Sequence, residues 1–152
     1  MKSGRNKAPI ISKKPRRDKS GWHILSRIPI AQEMMKVVSW NCRGLGGSTK
    51  VEAIKDIIKS EKAGILLIQE TKMSEAEIMG LSRIWKNYHG KAISSKGASG
   101  GIATLISNKF SIKSTMESQQ WLLTEIQEKD DANSLYICNV YGPMHYKDNV
   151  IF

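Results

Sequence analysis

Two polar residues that could share one reactive site follow two short apolar stretches of the chain. Asn41 lies at the end of a stretch that starts at Lys36, and Glu70 comes two residues after the apolar run 65–68. A helical pattern separates them, and strand, helix, strand at this spacing predicts a parallel βαβ unit. The carboxyl ends of both strands then lie at one edge of the sheet, where open α/β sheets bind ligands. An amide beside a carboxylate there predicts a site for a hard cation and a phosphate.

The helix between these two strands is predicted from its apolar stripe. Thr49 and Glu52 have the spacing of a capping box that would open it, and Gly64 suits its end. The stripe itself consists of Val51, Ile54, Ile57 and Ile58. A second capping box, Ser74 with Glu77, predicts a second helix. Glu75 and Glu77 are interpreted as acids in the first turn of that helix and not as metal ligands.

The rest of the chain is rich in predicted strands. Runs of alternating or continuous apolar residues predict strands over 88–94, 101–107, 110–117, 121–128 and 134–141. The order βαβα followed by a run of strands predicts the α/β class, with two packed sheets and helices on their outer faces. The inner apolar face is expected to contain Ile102, Leu105, Ile126, Ile137 and Val140.

Several motifs resemble a known family when they are taken together. Ser39-Trp40-Asn41 followed by Gln69-Glu70-Thr71 resembles the endonuclease/exonuclease/phosphatase family, in particular the apurinic-type endonuclease domain of plant LINE (non-LTR) retrotransposons. Three runs in this order are typical of that group: 39–46, 99–103 and 139–143. The resemblance covers residues 35–152. It implies a partial four-layer α/β sandwich, with two mixed or mainly antiparallel sheets flanked by helices and truncated after its first half.

The resemblance also implies roles for three residues. Glu70 would be a ligand of Mg²⁺, or of Mn²⁺, Asn41 would contact the phosphate and the metal shell, and the Tyr141 hydroxyl would donate to the scissile phosphate. The implied partner is DNA and the implied reaction is hydrolysis of its phosphodiester bonds. From the residues alone, simpler interpretations stay open: Glu70 as a solvated strand end, Asn41 as a turn former and Tyr141 as a packing aromatic.

This chain departs from the family pattern after Tyr141. Relatives often have Asn three residues later, where this chain has Met144. The family's later Asp and His motifs are expected beyond Phe152, so residues 1–152 are predicted to be inactive alone. Two alternatives are a noncatalytic remnant that binds nucleic acid, and part of a phosphatase-branch protein acting on small phosphoesters. Arg43 and Lys72, next to the site residues, could attract phosphate or be merely solvated.

Charge is concentrated at the start of the chain. The net charge is +10 over 152 residues, and residues 1–35 contain nine Lys or Arg and two acids, a formal charge of +7. We expect 1–34 to be a basic, disordered arm and 35–152 to be the domain. The cluster 13–19 could bind phosphate backbones nonspecifically or direct the protein to the nucleus, although a solvated tail is the simpler interpretation.

Two cysteines and the hydropathy bear on location. Cys42 and Cys138 are predicted to be buried, reduced thiols of an intracellular protein. No apolar run approaches the roughly 20 residues that a membrane-spanning helix requires, so no membrane is expected as a partner.

Overall fold

The computed structural model describes residues 21–30, 33–82 and 85–142. Eight strands and two helices are found within these ranges. In chain order they are β1 (Trp22–Ile30), β2 (Glu33–Asn41), α1 (Ser48–Glu61), β3 (Ala63–Gln69), α2 (Glu75–Ser82), β4 (Tyr88–Ile93), β5 (Ile102–Ser107), β6 (Phe110–Glu117), β7 (Trp121–Glu128) and β8 (Ser134–Val140). The predicted α/β class with two sheets is confirmed.

The first sheet has five strands in the order β1-β2-β3-β5-β4. Strands β2 and β3 are parallel, with Asn41 opposite Gln69 at their carboxyl ends, and α1 connects them. The other neighbours in this sheet are antiparallel. The predicted βαβ unit is therefore present, and it brings the ends of β2 and β3 to one edge.

The second sheet is an antiparallel meander in the order β6-β7-β8. Its inner face packs on the first sheet through a cluster in which Phe110, Ile126 and Ile137 meet side chains of β2, β3 and β5. The opposite face of the first sheet packs on the two helices. Strand β3 is buried on both faces, which explains its continuous apolar run. Burial of one such Ile or Leu side chain stabilises the fold by about 1.5–3 kcal/mol.

The expected disordered arm differs from the structure over Trp22–Ile30. These residues form β1, which pairs antiparallel with β2 from Trp22 opposite Trp40 to Ile30 opposite Glu33. The signal was the alternation of apolar residues at 22, 24, 28 and 30, which the surrounding basic residues and Pro29 obscured. Proline is tolerated in this strand because β1 lies at the edge of the sheet. Residues 33 and 34 of the predicted arm belong to β2, and residues 1–20 and 31–32 lie outside the described residues.

The two predicted helix starts have different outcomes. The capping box of α2 is confirmed: the Ser74 amide donates to Glu77 Oε2 at 2.7 Å, and the Glu77 amide donates to Ser74 Oγ at 3.3 Å. The box predicted for α1 is wrong, because that helix starts after Gly47 without a side-chain cap. It ends at Glu61, followed by the cap residue Lys62 in a left-handed conformation, and not at Gly64. The capping pattern of residue types was present at Thr49, but the helix begins one residue earlier.

The predicted inner face needs three corrections. Val140 is 48% exposed, because the alternation along β8 turns Ile137 and Asn139 inward instead. Cys138 points outward like Val140 and is exposed, so its predicted burial is wrong. The burial predicted for Cys42 is confirmed. Leu105 is buried, but it packs on the helix side of the first sheet. Ile126 and Ile137 do line the space between the sheets. No helix in the described part of the chain is long and apolar enough to cross a membrane.

Candidate active site

The backbones that follow β2 and β3 continue side by side beyond the sheet. Three amides of the first connection donate to carbonyls of the second: Cys42 to Gln69 at 3.0 Å, Gly44 to Glu70 at 2.6 Å, and Leu45 to Thr71 at 2.8 Å. This extension of the parallel pairing holds residues 41–45 against residues 69–71. The polar side chains that follow both strands are therefore placed by backbone hydrogen bonds.

Asn41 and Glu70 are in direct contact at this edge. Asn41 Nδ2 donates to Glu70 Oε1 at 2.9 Å. The other amide atom, Asn41 Oδ1, accepts from the Arg43 backbone amide at 3.3 Å. Asn41 is exposed and Glu70 is half-buried, so the pair faces solvent from a fixed position. The structure brings together the two residues that the sequence placed at one edge.

Three residues of these connections have left-handed backbone conformations. The φ angles of Arg43, Glu70 and Lys72 are 49°, 53° and 55°. A left-handed conformation costs a non-glycine residue roughly 1–2 kcal/mol, and such residues cluster at functional sites. The cost is offset here by the backbone hydrogen bonds between the two connections.

Lys50 and Cys42 support the loop that carries Arg43. Lys50, in the first turn of α1, donates through Nζ to the carbonyls of Cys42 at 2.7 Å and Arg43 at 3.1 Å. Cys42 Sγ donates to the carbonyl of Gln69 at 3.3 Å. Burial raises the pKa of the Cys42 thiol to about 11. A thiol with this pKa stays protonated at neutral pH, so Cys42 is a structural group and not a nucleophile.

Tyr141 reaches the same edge from the second sheet. Its backbone amide donates to the Gln120 carbonyl at 2.7 Å, and its side chain packs on Ile102 and Leu122. A Cβ built on Gly100 would lie 3.9 Å from Tyr141 Cε1. The carbonyl of that glycine accepts from the Lys72 amide at 3.0 Å. The Tyr141 ring is thus beside the backbone that follows Glu70. Met144, at the position where relatives often have Asn, lies outside the described residues.

A basic loop adjoins this edge. Residues 95–100 connect β4 to β5, and the Ser95 amide donates to the Met73 carbonyl at 3.0 Å. Lys96 is exposed at the tip, where it pairs with Ser99. The Lys72 side chain lies beside the other loop, since a Cβ on Gly44 would be 3.5 Å from Lys72 Cδ. Arg43 and Lys72, next to the two site residues in the chain, are both exposed.

A buried amide pair behind the site was missed in the sequence. Gln69 Nε2 donates to Asn139 Oδ1 at 2.6 Å and to Ser39 Oγ at 3.1 Å. Asn139 Nδ2 donates to the Ala103 carbonyl at 2.9 Å. Asn139 is fully buried and Gln69 is 8% exposed. The available signal was a single polar residue, Gln69 or Asn139, among the apolar inward positions of each of the two strands.

The donor set at the edge suits a magnesium ion. Mg²⁺ takes one or two carboxylates and fills its remaining positions with water and substrate phosphate. Glu70 uses Oε1 to accept from Asn41, which leaves Oε2 for a cation. The described residues contain no group of three His, Cys, Asp or Glu side chains that could hold a metal. In this arrangement Asn41 orients the Glu70 carboxylate, and its predicted role as a direct ligand stays a prediction.

The chain is similar to a known protein family and to several solved structures. The family model described as "Endonuclease/Exonuclease/phosphatase family" matches residues 38–137. No curated protein matches the sequence. Solved structures with a similar fold include an AP endonuclease, LMAP, from Leishmania major, with a TM-score of 0.56 and 20% identity over 70% of this chain. The APE2 catalytic domain of Xenopus laevis has a TM-score of 0.54 and 22% identity over 72%.

A third similar structure is the 3′ phosphatase NExo from Neisseria, bound to product DNA hairpin, with a TM-score of 0.55 and 16% identity over 70% of this chain. At these identities the likeness shows the fold. The chain spans 40%, 45% and 41% of the lengths of these three proteins, respectively.

Proposed function

The chain belongs to the endonuclease/exonuclease/phosphatase family, and from that premise we propose that it carries part of the active site of a Mg²⁺-dependent endonuclease. The proposed reaction is hydrolysis of a phosphodiester bond in DNA. The observation that carries the proposal is the 2.9 Å contact between Asn41 Nδ2 and Glu70 Oε1 at the carboxyl edge of a parallel strand pair. This edge is the usual ligand position in an open α/β sheet.

Glu70 holds the metal in this proposal. Its free oxygen, Oε2, would bind Mg²⁺ or Mn²⁺, and Asn41 would keep the carboxylate in one orientation through the bond to Oε1. When bound, the ion supplies charge stabilisation on the leaving oxygen. The left-handed backbone of Glu70, held by the bond from Gly44, keeps the carboxylate at the edge before any ligand arrives.

Other residues of the chain would bind the phosphate. The Tyr141 hydroxyl would donate to a non-bridging oxygen, because its ring lies beside Gly100 at the same edge. Such a donor is most valuable when charge develops on that oxygen. Arg43 and Lys72, which flank Asn41 and Glu70, would contact the backbone phosphates on either side.

The motifs support a narrower origin. We propose that the domain derives from a LINE retrotransposon of a plant and that its intact form nicks DNA for retrotransposition, in the nucleus. The support is the joint occurrence of runs 39–46, 99–103 and 139–143 in family order. In the structure the first two runs both pair with residues 70–72, since the Gly44 amide donates to the Glu70 carbonyl and the Lys72 amide donates to the Gly100 carbonyl.

Residues 1–152 alone are proposed to turn over slowly or not at all. The described residues supply one carboxylate and two phosphate donors, and catalytic groups that act together are strongly non-additive. Ligand binding therefore tests the proposal more directly than turnover does. A noncatalytic remnant would bind DNA without a divalent cation at Glu70, and a phosphatase-branch protein would prefer small phosphoesters.

The test combines two titrations of the purified chain. Isothermal titration with Mn²⁺ should show one saturable site that Glu70→Gln abolishes. Fluorescence anisotropy with a DNA duplex should show an affinity that falls steeply as salt rises, because each phosphate contact releases counterions. Mn²⁺ binding that survives Glu70→Gln would contradict the proposal. Competition by p-nitrophenyl phosphate but not by DNA would favour the phosphatase branch.

A further inference from the structure

Each of the three candidate site residues follows a member of one hydrogen-bonded cluster. Ser39 lies two residues before Asn41, Gln69 lies one residue before Glu70, and Asn139 lies two residues before Tyr141. Gln69 Nε2 is the centre of the cluster, with bonds of 3.1 Å to Ser39 Oγ and 2.6 Å to Asn139 Oδ1. The cluster therefore touches all three strands that deliver the site residues, β2, β3 and β8.

The bond between Gln69 and Asn139 crosses from one sheet to the other. The two residues are 70 positions apart, and the clusters on either side of this contact are otherwise apolar. Asn139 also donates to the Ala103 carbonyl at 2.9 Å, and Ile68 and Thr104 lie within 3.5 Å of the same Nδ2. Its amide is thus inserted into the pairing of β3 with β5.

These bonds define a position in a way that apolar contacts do not. Packing of Ile126 or Ile137 against the first sheet tolerates small sliding movements, whereas a hydrogen bond requires a defined donor–acceptor distance and angle. Gln69 and Asn139 are buried, so sliding of one sheet over the other would break the hydrogen bond between them. Each amide would then be buried without that partner, which is energetically unfavourable. The relative position of the two sheets at the site edge is set by this pair.

We propose that Gln69 and Asn139 are positioning residues of the active site, which fix Tyr141 on the second sheet relative to the Asn41–Glu70 pair on the first. The inference rests on the proposed function, since it assumes that Glu70 binds the metal. Neither residue touches substrate or metal in this role. Gln69 acts through its chain neighbour Glu70, and Asn139 acts through Gln69 and Tyr141.

The test separates positioning from simple stabilisation. Gln69→Met and Asn139→Leu are near-isosteric apolar replacements, and each single variant removes the bond between the two amides and leaves one of them buried without that partner. The double variant removes both amides, which is close to neutral for stability. Mn²⁺ affinity is measured by electron paramagnetic resonance, and the melting temperature by circular dichroism, for the full chain in all forms. Ile126→Ala is the matched control, because it weakens the same sheet interface away from the cluster.

We expect both single variants to melt at a lower temperature and to bind Mn²⁺ about 10-fold more weakly, the range seen for groups that orient a ligand. The double variant should recover its melting temperature but not its affinity, and Ile126→Ala should lower only the melting temperature. Recovery of wild-type affinity in the double variant, or an equal loss in Ile126→Ala, would overturn the proposal.

Two further observations keep the test decisive. If the apolar variants do not fold, Ser39→Ala removes one hydroxyl of the cluster at a half-buried position. It should raise the Mn²⁺ dissociation constant with little change in melting temperature, and an unchanged constant would overturn the inference. Absence of Glu70-dependent Mn²⁺ binding in the wild type would instead remove the proposed function itself. The two failures are therefore distinguishable.

Discussion

Asn41 Nδ2 lies 2.9 Å from Glu70 Oε1, although 29 positions separate the two residues in the chain. The contact exists because β2 and β3 are parallel and end at the same level, with Asn41 opposite Gln69. The backbone bond from Gly44 to the Glu70 carbonyl then closes the gap between the two connections. The amide and the carboxylate are thus held against each other by the pairing of the two strands and of the segments that follow them.

Replacement of Glu70 by Gln should remove metal binding with little effect on the fold. Gln keeps the length of the side chain but loses the charge that attracts a divalent cation. We expect the Mn²⁺ dissociation constant to rise by more than the roughly 10- to 100-fold caused by changes around a ligand. The free energy of unfolding should stay within about 0.5 kcal/mol. Isothermal titration and urea denaturation measure the two quantities, and a constant Mn²⁺ affinity would contradict the assignment.

Asn41→Ala should weaken metal binding less than Glu70→Gln does. The substitution removes the donor that orients the carboxylate and the acceptor for the Arg43 amide, but it keeps the charge. A loss of about 10-fold in Mn²⁺ affinity is expected. Asn133→Ala is a matched control, because Asn133 makes comparable bonds to Asp131 in an exposed turn. Equal effects of the two Asn variants on Mn²⁺ titration would argue against a role for Asn41.

Tyr141→Phe should weaken DNA binding without destabilising the protein. The ring keeps its packing on Ile102 and Leu122, while the hydroxyl that would donate to phosphate is lost. A hydrogen bond to a charged group contributes about 1.5–3 kcal/mol, so the affinity should fall roughly 10-fold or more. Fluorescence anisotropy with a DNA duplex in the presence of Ca²⁺ measures the affinity. Tyr136→Phe, at an exposed position, is the control. Identical affinities of the two variants would count against Tyr141.

The buried Cys42 thiol should make the fold sensitive to alkaline pH. Burial raises its pKa from 9.0 to about 11. Above pH 9 the thiol ionises in the unfolded chain but not in the folded one, so stability present below pH 9 is lost as pH rises toward 11. The loss should reach roughly 2–3 kcal/mol. Urea denaturation between pH 8 and 11 measures it.

The control for this pH dependence is Cys42→Ala, which should show a smaller alkaline loss than the wild type. Some loss should remain in the variant, because burial also raises the pKa of Tyr88, whose hydroxyl donates to the Ala63 carbonyl. If the wild type and the variant lose stability in parallel over the whole range, the thiol is not the titrating group.

Removal of β1 should lower the stability of the first sheet. A polypeptide that starts at residue 33 would leave β2 as an unpaired edge, and an open edge also promotes association. We expect it to melt at a lower temperature than one that starts at residue 21, and to elute earlier in gel filtration. Equal melting temperatures would mean that the domain begins at β2, close to the predicted boundary at residue 35.

Periodicity in the sequence was enough to predict most strands. The structure has β6 and β7 over the predicted residues, 110–117 and 121–128. Apolar alternation is a local property of the sequence, and a period of two residues is characteristic of a strand that buries one face. The Ser74 and Glu77 capping box was predicted for the same reason, since both partners lie within one turn. The meeting of Asn41 and Glu70 also followed from the βαβ order alone, because parallel neighbours must end at one edge.

Tertiary structure decided which side of each strand faces the interior, and how the two sheets meet. The alternation of β8 was visible in the sequence, but only packing showed that Asn139 is inside while Cys138 and Val140 are outside. The polar residue is accepted inside because Gln69, 70 positions away, supplies its partner. The strand β1 likewise forms because β2 has an edge to pair with. Local pattern thus determined where the strands and the candidate residues are, and long-range hydrogen bonds determined how they are held together, because a strand's period does not specify its partner.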